Sequence, residues 1–477
     1  MSILEIRILP PLAIGRLGAA DEPLEAFDLE ADPTRPFDYR SIVPRPSLEV
    51  DKTSGEIVRS YVPAQIRFKD ADKKIRPVAP FLEVFVRTSD QPNELQPLTL
   101  DLLQHEKLSL ASLHWDVALS NIKLFRRTGD VDDQVHAKLT SIKDHVRHPV
   151  IGHCKNFLPG KTLPLGHIQY IKPTKDFPEI RLRYTPAGGV VYGSRKQRLE
   201  PDQNGVPVLV DDPIIDNDEL VLYNEKKGWL GYADGTVPGV SNATLTAPAS
   251  IYAGYADADG NQVSWGYLDD ECDGHVRVSL KLHDDKVLHA QAYIGAGPPA
   301  FAPDTLPVRV ISDEMEQLLY GAEVKDEEVS LDDATELVLR ALETVRLMNT
   351  AVMNGNPVNG RLNVASTMVR QNTGDFERYY EPIAAASLVD NLALRALHER
   401  VFSTLTAGGA PWFAQALRQP DEIGDLSAAA LRKMPALMRG ADGRSLTLTR
   451  RHIDMVIKAA KNAMFASPSQ QEKKNVR

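Results

Sequence analysis

Over roughly the first three hundred residues, short apolar and β-branched runs are separated by Gly, Pro, Asn and Asp. Residues 80–86 (PFLEVFV), 181–184 (RLRY), 206–210 (VPVLV) and 276–282 (VRVSLKL) read as strands. The last alternates apolar and polar positions, as a half-buried antiparallel strand does. Segments 51–62 and 195–218 are polar, charged and broken by Pro or Gly, which predicts long loops. Gly188-Gly189, after Tyr184-Thr185-Pro186, reads as a hairpin turn. Near residue 312 the period lengthens. Ser330 and Asp333 form a helix N-terminus signature, and Leu337, Ala341, Val345, Met348 and Val352 then line one helical face. A second helix is expected from about 384 to 406, closed by Gly408-Gly409 with Pro411 beyond. PWFAQALRQP reads as a short helix bracketed by prolines, and 448–463 as the last one. The expected class is α+β. A β-rich, sandwich-like region spans 1–315, a helical region 316–465, and a flexible polar tail 466–477. No internal repeat is visible.

Composition narrows the function classes. With 477 residues, 43% hydrophobic and 25% charged, the chain is globular in type, and its length suggests more than one domain. A formal charge of −10 argues against a general nucleic-acid binder. No window approaches the roughly 20 apolar residues of a membrane span. The opening MSILEIRILPPLAIG lacks the basic stretch and long apolar core of a secretion signal. Cys154 and Cys272 are the only cysteines, which excludes a disulfide framework and makes a cytoplasmic location the expectation.

Two segments concentrate chemistry. DHVRHPVIGHCKN supplies His145, His148, His153 and Cys154, donor types that suit zinc or another transition metal. Pro149 and Gly152 interrupt any helical register there, and the spacing matches no closed zinc pattern, so a histidine-rich surface loop is the competing reading. WGYLDDECDGHVRV places Asp269, Asp270, Glu271, Asp273 and His275 around Cys272. Such carboxylates share a proton or bind a cation in some sites, but Asp273-Gly274 before a strand favours an exposed acidic turn. Gly15 and Gly18 lack the third glycine of a dinucleotide fingerprint and are read as shaping a tight turn. No phosphate-loop or nucleophile-elbow motif occurs. His398-Glu399 has no second histidine one turn on, and Arg432, Lys433, Arg439, Arg444, Arg450 and Arg451 read as a solvated basic face.

Taken in order, several stretches resemble the L-lysine 6-oxidase and glycine oxidase family of cysteine tryptophylquinone enzymes. PPLAIGRLG resembles its opening strand and turn. IRFKDADKKIRPVAPFLEVFV (66–86) is similar to its Asp-containing hairpin leading into a strand. LHWDVALSNIKLF (113–125) resembles its Trp-x-Val-x-x-x-Asn-x-Lys segment through Trp115, Val117, Asn121 and Lys123. WGYLDDECDGHVRVSL (265–280) and AYIGAGPPAFAPD (292–304) resemble its Asp-Asp-x-x-Asp-Gly and Gly-Pro-Pro-x-Phe-Ala-Pro stretches. LTLTRRHIDMV (446–456) is similar to a late family segment.

The resemblance implies oxidation of an amino acid or primary amine. It also implies a quinone built from a cysteine and a tryptophan downstream of that late segment. Beyond it this sequence has neither residue: the last cysteine is Cys272 and the last tryptophan Trp412. The expectation is therefore a quinone-less relative, with no cofactor by the family mechanism. It would bind an amino-acid-like or amine small molecule, or act as an accessory protein. The alternatives are an oxidoreductase with a replacement cofactor, such as a transition metal at His145, His148, His153 and Cys154, and a quinone between Trp265 and Cys272. A homo-oligomer or a protein partner on the helical face is expected by analogy.

Overall fold

The structure, a computed structural model, describes residues 2–31, 40–193, 197–201, 204, 206–211, 217–222, 229–230, 254–256, 262–264, 268–283, 285–300, 305–344, 388–423, 425, 427–431, 433–436, 438–439 and 444–465. Its strands begin with β1 (Ile3–Leu9), β2 (Leu12–Arg16), β3 (Phe27–Glu30), β4 (Ser41–Pro44), β5 (Ser47–Val50), β6 (Ile57–Tyr61), β7 (Phe81–Thr88) and β8 (Gln96–Pro97). They continue with β9 (Leu113–Asn121), β10 (Val135–Ile142), β11 (Arg147–Gly152), β12 (Leu163–Tyr170), β13 (Arg181–Thr185) and β14 (Val191–Tyr192). The remainder up to the helices are β15 (Gln197–Pro201), β16 (Pro207–Asp211), β17 (Trp229–Leu230), β18 (Gly254–Ala256), β19 (Gln262–Ser264), β20 (Leu268–Asp269), β21 (Cys272–Lys281) and β22 (Val287–Gly297).

Two sheets form the sandwich that the alternating pattern predicts. One runs β1-β7-β13-β12-β11, with β8 added on β7. The other runs β10-β9-β21-β22-β2, where β2 lies parallel to β22 and every other pairing is antiparallel. Strict alternation supplies the filling. In β7, Leu82, Val84 and Val86 are buried; in β9, Leu113, Trp115, Val117 and Leu119; in β21, Val276, Val278 and Leu280. These side chains join one apolar cluster with residues of β1, β12, β13 and β22. Burial of this much apolar area is the main stabilising term.

Three loop expectations change. Segment 51–62 is the turn and second strand of a hairpin, with β5 paired to β6. Segment 195–218 holds the β15–β16 hairpin. Gly188-Gly189 does not close a hairpin, because β14 pairs with β20 rather than with β13.

The helical part follows its sequence signals closely. Ser330 caps the helix Leu331–Glu343, its hydroxyl accepting from the Asp333 amide at 3.2 Å. Leu337 and Ala341 are buried as expected, while Val345, Met348 and Val352 lie outside the described residues. The helices Leu388–Thr406, Ala410–Ala416 and Arg450–Phe465 match the other three predictions, and residues 384–387 lie outside the description. A helix at Ile311–Tyr320 was not foreseen. The helices share a second apolar cluster, including Ala334, Val338, Leu405, Phe413 and Val456. Glu343 connects the two parts, accepting from Arg40 at 2.8 Å and from the Leu306 amide at 2.7 Å. Among the described residues no helix is long and apolar enough to cross a membrane.

Candidate functional site

The acidic stretch around Cys272 is not an exposed turn. Asp270 is 1% exposed and Cys272 7%, and β21 already begins at Cys272, so Asp273 and Gly274 belong to a strand. A Cβ at Gly274 would collide with the Ala118 carbonyl of β9, so only glycine fits this pairing. Distant residues fix the segment. The Asn121 side-chain amide donates to the carbonyls of Asp269 and Glu271, both at 2.9 Å. Lys123 bridges the carboxylates of Asp269 and Glu271, which outweigh its partial burial and raise its pKa.

Asp270 turns inward. One of its oxygens accepts from the Gly189 and Val190 amides at 3.0 and 3.1 Å. Gly189 has φ of +79°, a conformation that favours glycine and aims its amide at the carboxylate. The other oxygen, Oδ1, is buried without a hydrogen-bond partner among the described residues. Burial pushes the Asp270 carboxyl up to about 6, against the pull of the two amides. Beside it the Tyr184 hydroxyl donates to the Leu165 carbonyl at 2.9 Å and lies 3.1 Å from the Cys272 sulfur. Burial raises the Cys272 thiol to about 12, so it is held as the neutral thiol. Trp265 lies outside the described residues.

The histidine-rich segment disperses. The Nδ1 of His145 meets the Tyr170 carbonyl at 3.0 Å, and its ring lies 4.7 Å from the Tyr170 ring. His148 pairs with Asp144 at 2.6 Å, and His153 contacts the Lys161 carbonyl at 3.3 Å while its ring meets Phe157 edge-on. Cys154 is buried and its thiol raised to about 11 by that burial. Among the described residues no group of three or more His, Cys, Asp or Glu is gathered so as to hold a metal ion.

Gly15 and Gly18 serve close approach rather than a turn. A Cβ on Gly18 would sit 2.5 Å from the Pro77 nitrogen, and one on Gly15 2.5 Å from the Pro186 ring. They let β2 and its extension pass tightly under segment 75–78, where Arg16 and Val78 exchange backbone hydrogen bonds at 3.1 and 3.0 Å.

An open cleft of about 890 Å³ lies on the outer face of the first sheet. Its floor is Phe81 of β7 and Arg183 of β13; its walls come from segments 22–27, 46–53 and 78–80 together with Val58, Tyr61, Arg67 and Arg76. Arg183 and Phe81 are register partners across the two strands, and the guanidinium carbon stands 5.0 Å from the ring centroid. Burial brings the Arg183 pKa down to about 10, with Glu22 the chief opposing charge. Arg76 and Glu25 form a buried ion pair at 2.7 Å in the wall.

No protein-family model and no curated protein matches this sequence. Among solved structures it is weakly similar to the L-Lys epsilon-oxidase from Marinomonas mediterranea, at 14% identity and a TM-score of 0.43, covering 96% of this chain and 61% of that one. The Schiff base intermediate of the same enzyme with L-Lys gives 14% identity and a TM-score of 0.42, over 97% of this chain and 62% of that one. The chain thus spans about 61% of the length of the structures it is similar to. A likeness of this size assigns no residue and no activity.

Sequence reasoning did not find the cleft. Its residues come from stretches scattered between Glu22 and Arg183, none of which forms a motif. The usable signal was the alternation in RLRY and PFLEVFV. It sends Arg183 and Phe81 to the face opposite Leu182, Tyr184 and Leu82.

Proposed function

We propose that this chain is a quinone-less relative of the amino-acid oxidase family that binds an amino-acid-like or amine small molecule, serving as a binding or accessory protein. The observation that carries the reading is the cleft over Phe81 and Arg183. Its volume, about 890 Å³, lies within the range of small-molecule sites, and its lining combines the aromatic Phe27, Tyr61 and Phe81 with four acidic and four basic side chains. The family landmarks of the sequence support the scaffold part. Asn121 and Lys123 come from one landmark and grip Asp269 and Glu271 of another.

The test combines binding with turnover. Purified protein is titrated calorimetrically with L-lysine, glycine and cadaverine, and the same mixtures are assayed for hydrogen peroxide. Saturable binding of at least one compound without peroxide is the expected result. Peroxide from lysine or glycine would overturn the quinone-less part, and absence of binding by all three at millimolar concentration would overturn the binding part. The metal-dependent alternative draws no support from the separate partners of His145, His148, His153 and Cys154. Stoichiometric metal in purified protein, lost in a His148→Ala, His153→Ala double variant, would establish it instead.

A further inference from the structure

We infer that the cleft recognises a carboxylate, anchored edge-on by Arg183 against the face of Phe81, and that an amine alone does not satisfy it. This inference rests on the binding reading above and specifies which end of the ligand the site takes. It follows from the charges that line the cleft and their partners. Each of the four lining carboxylates is already matched. Glu25 pairs with Arg76 at 2.7 Å, Glu22 with Lys52 at 2.8 Å, and Glu49 with Arg59 at 2.6 Å. Asp51 accepts from the amides of Thr53 and Ser54 at 3.0 and 2.6 Å. A ligand ammonium would have to compete with a resident cation for Glu22, Glu25 and Glu49, and with two amides for Asp51.

Arg183 is in the opposite position. Its Nε is buried without a hydrogen-bond partner, and no carboxylate among the described residues lies within ion-pair distance of its guanidinium. A desolvated guanidinium left in that state is costly, and an anion supplied by a ligand offsets the cost. The Nε of Arg76, in the same wall, is likewise buried and unpartnered. Cation–π contact with Phe81 occupies one face of the Arg183 guanidinium, and its two terminal nitrogens, which have no hydrogen-bond partner among the described residues, form the edge a planar, two-point carboxylate contact would use. Carboxylate is favoured over phosphate because four acidic side chains of the lining already face Lys52, Arg67, Arg76 and Arg183, a balance that one added negative charge disturbs less than two. Apolar surface from Leu24, Phe27, Leu48 and Val58 gives the ligand body something to cover.

The experiment compares matched probes on the full chain by calorimetry and by competition: hexanoate, L-lysine, cadaverine (lysine without its carboxylate) and inorganic phosphate. Hexanoate and lysine are expected to bind and to compete with each other, with cadaverine and phosphate at least about tenfold weaker. Arg183→Met should weaken hexanoate at least about tenfold, the scale of a lost charge-assisted contact. Should that variant not fold, Arg183→Lys and Phe81→Leu replace it. The first keeps the charge but loses the fork, and the second removes the ring, so either should lower hexanoate affinity while circular dichroism stays native. Cadaverine binding as tightly as hexanoate, displaced by Glu22→Gln, would overturn the carboxylate assignment and leave the binding reading standing. Phosphate outcompeting hexanoate, or unchanged hexanoate affinity in folded Arg183 variants, would also overturn it. Failure of all four probes to bind would overturn both.

Discussion

At the scale of single residues, Asp270 shows how much a buried carboxyl can ask of its surroundings. Two amides satisfy one oxygen, while the second has no partner among the described residues, and burial wins: the pKa rises from 3.8 to about 6. A folded-state pKa above the unfolded value means the native state holds the proton more tightly. The favourable contribution is complete below about pH 4, where both states are protonated, and is lost as pH climbs through about 6. The shift corresponds to about 3 kcal/mol at most. Asp270→Asn removes the titration and keeps an acceptor for Gly189 and Val190. Urea denaturation of both proteins at pH 4 and pH 7.5 should show the variant gaining on the parent by up to that amount as pH rises. A difference that stays constant over the window would mean that the carboxyl is not desolvated in solution.

At the scale of elements, the fold depends on long-range clamps that local pattern does not announce. Asn121 ends β9 and satisfies two carbonyls at positions 269 and 271, so its removal orphans backbone acceptors in a buried place. Asn121→Ala is expected to cost about 2–6 kcal/mol, two unsatisfied groups at the usual penalty. Lys123→Met beside it should cost under about 1 kcal/mol, because its ion pairs are open to solvent. Thermal or chemical denaturation of the pair checks the ordering, and an equal loss would show that charge rather than backbone satisfaction holds the segment. The four strands read from alternation and apolar runs, the Ser330 cap and four of the helices were legible in sequence because period and capping are local. Asp270 and Cys272 were not. DDECDG has the composition of an exposed turn, and only the pairing of β21 with β9 and the arrival of Gly189 bury it. The same locality explains the misread glycines: Gly18 is required by a segment some sixty residues away, at Ile75–Pro77 in space, not by its own neighbours.

At the scale of the whole molecule, the two cysteines offer a readout of what the scaffold contains. Cys154 and Cys272 are both free and buried, in the same apolar cluster that fills the sandwich. Burial holds both as neutral thiols, at about 11 and about 12. A thiol reagent at pH 8 should therefore find almost nothing in the native protein and both thiols after unfolding in guanidinium, since only the exposed thiolate reacts. Any quinone that used Cys272, including one with Trp265, would consume its thiol in a thioether. The denatured count would then fall to one thiol, the intact mass would rise above the value calculated from the sequence, because the two oxygens added to the tryptophan ring outweigh the four hydrogens lost, and a visible absorption band would accompany both. Two thiols, an unaltered mass and a colourless protein are the combined expectation. Because the three readouts depend on one covalent bond, they must change together. A visible band with both thiols intact would point instead to a bound chromophore, and would separate a replacement cofactor from a surviving quinone in a single set of measurements.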